Sequence, residues 1–214
     1  MAGVVVVNTD PYLSSVRQSQ VQRHFNQEIT KLTYHQYGGY GLVTLLQADN
    51  LSVIPRKLLF FNIKSVNEVH IANARIESHF YENDRGDTAI VPAVIDHLAD
   101  RRNSKRNSNN YLEFGLITRV IVKDIFMQLF KADTLMLVLS AAEGRVDHKS
   151  KMPFFINAVL QDPTATNRIV SNKMIWDPQG RVFKIPGKYI AITDKGRSNG
   201  KGIKVDLAFT ILPI

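Results

Sequence analysis

Residues 67–80, "NEVHIANARIESHF", decide how the chain is read. Ala72, Ala74, Ile76 and Phe80 fall on one side of a two-residue repeat, with Asn73, Arg75, Glu77 and His79 on the other. Side chains of a β-strand alternate between faces, so the segment predicts a half-buried strand. Val69 and Ile71, however, sit on the wrong face for this alternation. Either the strand begins buried on both sides, or a bulge near Ala72 switches its facing.

Downstream the pattern repeats. "LEFGLITRVIVKDIF", "TLMLVLSAA", "PFFINAVLQ", "GRVFKIP", "KYIAIT" and "IKVDLAFTILPI" are short β-branched or aromatic runs separated by Gly, Pro, Asp and Asn. Closely spaced strands of this kind predict an antiparallel sandwich or barrel rather than a doubly wound parallel sheet. Upstream, Val16, Val21, Phe25, Ile29 and Leu32 follow a helical stripe behind Ser14 and Ser15 as candidate caps, before "YGGYG" at 37–41 breaks the chain. The expectation is a single domain over 1–214: an N-terminal amphipathic helical segment at 1–36 and a β sandwich at 42–214. Residues 57–65 and 88–100 stay open between helix and strand, since Pro92 suits either a first helical turn or an edge strand.

With 44% hydrophobic residues over 214 positions, the chain can bury a sizeable core. It has no cysteine, which excludes disulfide frameworks, zinc ribbons and thiol nucleophiles. No apolar run approaches the roughly 20 residues of a spanning helix, and the N-terminal "MAGVVVVNTDPYL" lacks the basic start of a signal peptide. The expected location is therefore the cytosol, without secretion or a transmembrane helix.

Chemistry-bearing patterns are weak. The six histidines lack the i, i+4 pairing of a helical metal site, so neither metal nor cofactor is expected. Asp96, His97 and Asp100 are close in sequence, but neighbours on a strand point to opposite faces. "GRSNGKG" at 196–202 has neither the spacing nor the hydroxyl of a phosphate-binding loop. No catalytic residue is assigned and an enzyme is not expected.

Charge says more. The formal net charge is +8, which favours polyanionic partners. Cations cluster twice: Arg101, Arg102, Lys105 and Arg106 in the apolar-free "RRNSKRNSNN", and Lys184, Lys188, Lys195, Arg197, Lys201 and Lys204 on the late hairpins. Two such loops could track a phosphate backbone without reading bases, or be ordinary solvated turns. Trp176, Phe183 and Tyr189 lie near enough in sequence to offer stacking surfaces, although aromatics in short strands are more often core.

"RKLLFFNIKSVNEVHIANARIESHF" followed by "DTAIVPAVID" resembles the core of the thirty-kilodalton superfamily of viral movement proteins. In that family a strand of the form "yIHiGaIqI" precedes a second hydrophobic strand that ends in a characteristic aspartate. "VHIANARI" would supply the first strand with His70 and Ile71, Asp96 the aspartate, and "FGLI" with Gly115 the next glycine-containing segment. Ala72-Asn73 departs from the usual glycine, and Asp100 is a rival for the aspartate position. The resemblance implies a jelly-roll-like sandwich and a non-enzymatic protein that binds viral single-stranded nucleic acid without sequence specificity. It also implies cell-to-cell movement at plasmodesmata in the host, at the periphery of membranes or cell junctions. Asp96 would then be structural or interaction-determining. Arg101, Arg102, Lys105 and Arg106, with Lys195, Arg197 and Lys201, are the candidate nucleic-acid surface. The alternative is a viral matrix or capsid protein that forms a homo-oligomer and contacts nucleocapsid or an anionic membrane. A strand at 88–100 favours the first reading and a helix the second.

Overall fold

The computed structural model describes residues 5–7, 27–38, 41–58, 61–81, 116–147 and 152–214. They form one mainly antiparallel sheet: β1 (Val5–Val7), β2 (Gln27–Gly38), β3 (Gly41–Leu58), β4 (Phe61–Phe80), β5 (Leu116–Lys131), β6 (Thr134–Asp147), β7 (Phe154–Gln161), β8 (Arg168–Asp177), β9 (Val182–Thr193), β10 (Gly196–Asp206) and β11 (Ile211–Pro213). Only β1/β2 and β4/β5 pair in parallel. Among the described residues the strands lie in sequence order, and the Greek-key order of the expected jelly roll is not seen. Residues 88–100, which were to separate strand from helix, lie outside the described residues.

The facing of β4 switches near Ala72, but not through a bulge, since its register with β3 and β5 runs unshifted past that point, and the switch extends beyond one strand. Val69 and Ile71 are buried, then Ala74, Ile76 and Phe80, while the intervening Ala72 and Asn73 both turn outward. Asn73 has φ +53° and donates from Nδ2 to Asp49 Oδ2 at 2.8 Å. The register places Lys31 opposite Asp49, Asp49 opposite Asn73, and Asn73 beside Asp124. The row then continues through Ala142, Asn157 and Asn172. At every one of these positions the strand puts two successive residues outward before its buried face resumes. The result is a crease running across β2–β8. Lys31, Asn73, Asp124 and Asn157 take φ of +57°, +53°, +52° and +51°. Asn and Asp enter that left-handed region more readily than other non-glycine residues, which accounts for three of the four.

The crease also explains a correction. Residues 27–36, expected within the N-terminal helix, belong to β2. Crossing the crease at Lys31 stretches the step between inward side chains from two residues to three, from half-buried Ile29 to buried Leu32. Three is also a helical spacing, so a creased strand imitates a helix in sequence. Residues 8–26, which carry the rest of that expectation, lie outside the described residues.

The sheet coils over itself. Phe80 ends β4 beside the β5–β6 turn, where Ala132 N–H donates to Phe80 O at 3.2 Å. Trp176 lies near the other end of β8, with its N–H on Pro153 O at 2.9 Å. Strands four places apart in a flat sheet are about 19 Å apart, yet the Phe80 and Trp176 rings are 5.8 Å apart between centroids. Diagonally opposed corners therefore meet, and a single core fills the coil. At this junction Trp176 also packs on Phe183 at 4.7 Å, and the Arg181 guanidinium lies 5.7 Å from the Phe80 ring centre.

At the last edge, Asp206 N–H donates to Thr210 O at 3.2 Å. Antiparallel alternation then turns Leu212 toward β10 and leaves the main-chain groups of Ile211 and Pro213 facing outward. Pro213 has no N–H to offer there.

Candidate nucleic-acid interface

The crease reaches β9 and β10 as a register slip. Lys201 faces Lys188, but Ile203 faces Ile185, so Pro186-Gly187 stand against Gly202 alone. Gly202 has φ +74°, a conformation that favours glycine. Beyond this step the β9–β10 hairpin continues to the Asp194-Lys195 turn, where Lys195 N–H donates to Thr193 Oγ1 and Asp194 Oδ1 at 3.2 and 3.0 Å. Ser171 fastens its base, its hydroxyl donating to Lys188 O at 2.9 Å and accepting from Lys173 N–H at 3.3 Å.

Strand alternation sorts the hairpin's side chains. Tyr189 and Ala191 turn inward, and the Tyr189 ring lies over Gly200, where a Cβ would displace it. Lys188, Ile190 and Ile192 turn outward, as do Lys201, Asn199 and Arg197 opposite them. Together with Val170 and Asn172 of β8, all of these but Ile192 line an open cleft of about 700 Å³. Its floor is apolar at Val170 and Ile190, its rim carries Lys188, Arg197 and Lys201, and among the described residues neither Asp nor Glu lines it.

Two lysine pairs show what is unusual here. Lys184 stands directly opposite Lys204, and Lys188 directly opposite Lys201. Like charges placed directly across a strand pair repel. At the first pair Asp177 intervenes, with Oδ2 2.6 Å from Lys184 Nζ and Oδ1 accepting from the N–H groups of Gln179 and Gly180. The hydrogen bond from Lys184 is the main cause holding the Asp177 carboxyl below its ordinary range; burial opposes it, and the Gly180 N–H adds to it. At the second pair no carboxylate intervenes: among the described residues, the charged groups of Lys188, Arg197 and Lys201 form no ion pair. An anion in the cleft would relieve this repulsion.

Of the other residues singled out in sequence, Lys195 sits exposed at the hairpin tip. Arg101, Arg102, Lys105, Arg106, Asp96 and Gly115 lie outside the described residues. Ile71 is core at 2% exposure. His70, on the outer face, has Nε2 3.5 Å from Glu68 Oε2, and Arg119 links Glu68 at 3.5 Å to Asp147 at 3.0 Å. That chain ties β4 to β5 and β6 and stands apart from the cleft. Trp176 and Phe183 are fully buried and offer no stacking surface, whereas Tyr189 packs against the core while also lining the cleft. Asn199, Asn172 and the floor residues had no signal in sequence, whereas Lys188 and Lys201 did: both stand six residues from the Asp194-Lys195 turn.

Among the described residues no group of three or more His, Asp and Glu side chains is arranged to hold a metal ion, and no helix is long and apolar enough to cross a membrane. No family model matches the chain, and no curated protein matches it in sequence.

Proposed function

We propose that the chain is a non-enzymatic viral protein that binds single-stranded nucleic acid without sequence preference and acts in cell-to-cell movement. The binding half of this reading rests on the cleft, where Lys188 and Lys201 oppose each other beside Arg197 with no carboxylate among the lining residues. Cations without partners on a concave surface attract a phosphate backbone and carry no means of telling bases apart. The movement half, with a place in the host cytoplasm at cell junctions, rests on the resemblance of residues 55–120 alone. Arg101, Arg102, Lys105 and Arg106 would extend the basic surface.

A titration of single-stranded RNA by filter binding across a salt series tests the reading. Binding weakens steeply as salt rises, and the triple variant Lys188→Ala, Arg197→Ala, Lys201→Ala flattens the slope by about two to three. Absence of RNA binding at low salt, with tight binding to anionic liposomes, favours the matrix or capsid alternative. That alternative draws support from Ile211, Leu212 and Ile214, which are 40%, 42% and 61% exposed along the β11 edge and could serve self-association.

A further inference from the structure

The edge of the hairpin offers more than its side chains. Thr193 and Gly196 close the two-residue turn as a hydrogen-bonded pair, so antiparallel alternation pairs Ser198 with Ala191 and Gly200 with Tyr189 through main-chain bonds. The main-chain N–H and C=O of Arg197, Asn199 and Lys201 consequently point away from β9. β11 covers β10 only at Ile203–Val205. Over residues 196–202 no other strand among the described residues pairs with β10. Three outward donors and three outward acceptors therefore repeat along an open edge every two residues, about 6.7 Å.

Occupancy by another copy of the chain is opposed by charge, because Arg197 and Lys201 would meet the same cations on the incoming strand. A polyanion meets them favourably. Its phosphates accept hydrogen bonds and donate none, so they suit the N–H groups but leave the C=O groups unsatisfied. A ribose 2′-hydroxyl supplies the missing donor, and it is the group by which proteins distinguish RNA from DNA.

We infer that the open edge of β10 binds the sugar-phosphate backbone of single-stranded RNA through its main chain, the N–H groups of Arg197, Asn199 and Lys201 donating to phosphate and their C=O groups accepting from 2′-hydroxyls. This rests on the nucleic-acid reading of the same hairpin and adds to it a preference for RNA over DNA.

Asn199→Pro tests the main-chain contact without altering charge. Its N–H faces away from β9, so proline removes no ladder bond, and the preceding Ser198 is already extended. Binding of a single-stranded RNA, the DNA of the same sequence and the 2′-O-methyl RNA is measured across salt for the wild type, Asn199→Pro and Asn199→Ala, with a polyglutamate peptide as competitor. The expected result is a several-fold preference of the wild type for RNA over both analogues. Asn199→Pro binds RNA several-fold more weakly than Asn199→Ala does, at the same salt slope, the alanine variant accounting for loss of the side chain in the cleft. Equal binding of all three ligands overturns the inference and leaves nucleic-acid binding standing, a result that needs no variant to fold. Binding by Asn199→Pro equal to that by Asn199→Ala, in a variant that melts as the wild type does, overturns it too. Displacement of RNA by polyglutamate at equal residue concentration would assign the edge to an acidic peptide strand instead. No binding of any nucleic acid removes the underlying reading with it.

Discussion

The corner where β4 meets β8 and the hairpin beyond Gly202 are built from the same alternation and put it to opposite uses. At the corner both layers turn large side chains inward, and Trp176, Phe183 and Phe80 pack on one another without exposure to water. In the hairpin the large inward side chains shrink to Tyr189 and Ala191, while the outward row carries Lys188, Arg197 and Lys201. The two also treat charge differently, since Asp177 neutralises Lys184 next to the corner and nothing among the described residues neutralises Lys188 or Lys201. The lesson is that the corner holds the fold and the hairpin can be altered with little effect on it.

The largest effect should come from the corner. Trp176→Ala removes the ring that joins the two layers and should cost about 3–5 kcal/mol in chemical denaturation. The indole Nε1 is buried without a hydrogen-bond partner, so Trp176→Phe, which deletes that unpaired donor along with part of the ring, should cost far less. Equal losses for the two variants would mean that the corner does not depend on aromatic packing.

Asp177→Ala should follow, at about 1–3 kcal/mol, because it strips charged and neutral hydrogen bonds from the β8–β9 turn and leaves the Lys184–Lys204 repulsion unopposed. The folded carboxyl titrates below its ordinary value. Its contribution is therefore complete above the unfolded value near 4 and is lost as pH falls through the lower folded one. The gap in melting temperature between wild type and Asp177→Asn should accordingly close below about pH 4 and stay constant from pH 5 to 8.

Asn73→Ala probes the crease between the two regions. It removes the bond to Asp49 and forces a β-carbon without a polar partner into the left-handed region, for an expected loss of about 1 kcal/mol. Asn73→Gly should lose less, and a gain in stability for alanine would refute the conformational account.

The smallest change in stability should be of opposite sign. Lys201→Glu turns a repelling cross-strand pair into an attracting one and should raise stability by about 0.2–1 kcal/mol. The same substitution should abolish RNA binding at physiological salt. A variant that binds RNA unchanged would dissociate the cleft from function, and one that unfolds would erase the contrast between hairpin and corner.

Much of this was legible in residues 67–80, where Val69 and Ile71 on one side and Ala74, Ile76 and Phe80 on the other required either burial on both sides or a switch between them. The extent of the crease was not, because its members on other strands, such as Asp124 and Asn157, become a row only when register aligns them. The helix expected through Ile29 and Leu32 failed for the same reason, a three-residue step that belongs to a strand. Sheet order left no local trace either, since pairing partners are chosen by long-range burial. The charges at Lys188, Arg197 and Lys201 were evident from sequence, but the lack of neighbouring carboxylates was not. That depends on which strands flank the hairpin.

Pro213 has a consequence for colonies of molecules rather than for one. Among the described residues no strand pairs with the outer side of β11, and the apolar Ile211, Leu212 and Ile214 lie along and just beyond it, so this margin offers main-chain groups and apolar surface to a further strand. Any newcomer at that rim finds the donor of Ile211 and then an imino ring where the next donor should be, so growth loses a bond at its first step. Pro213 thus withholds one main-chain donor from any strand that would pair with this margin.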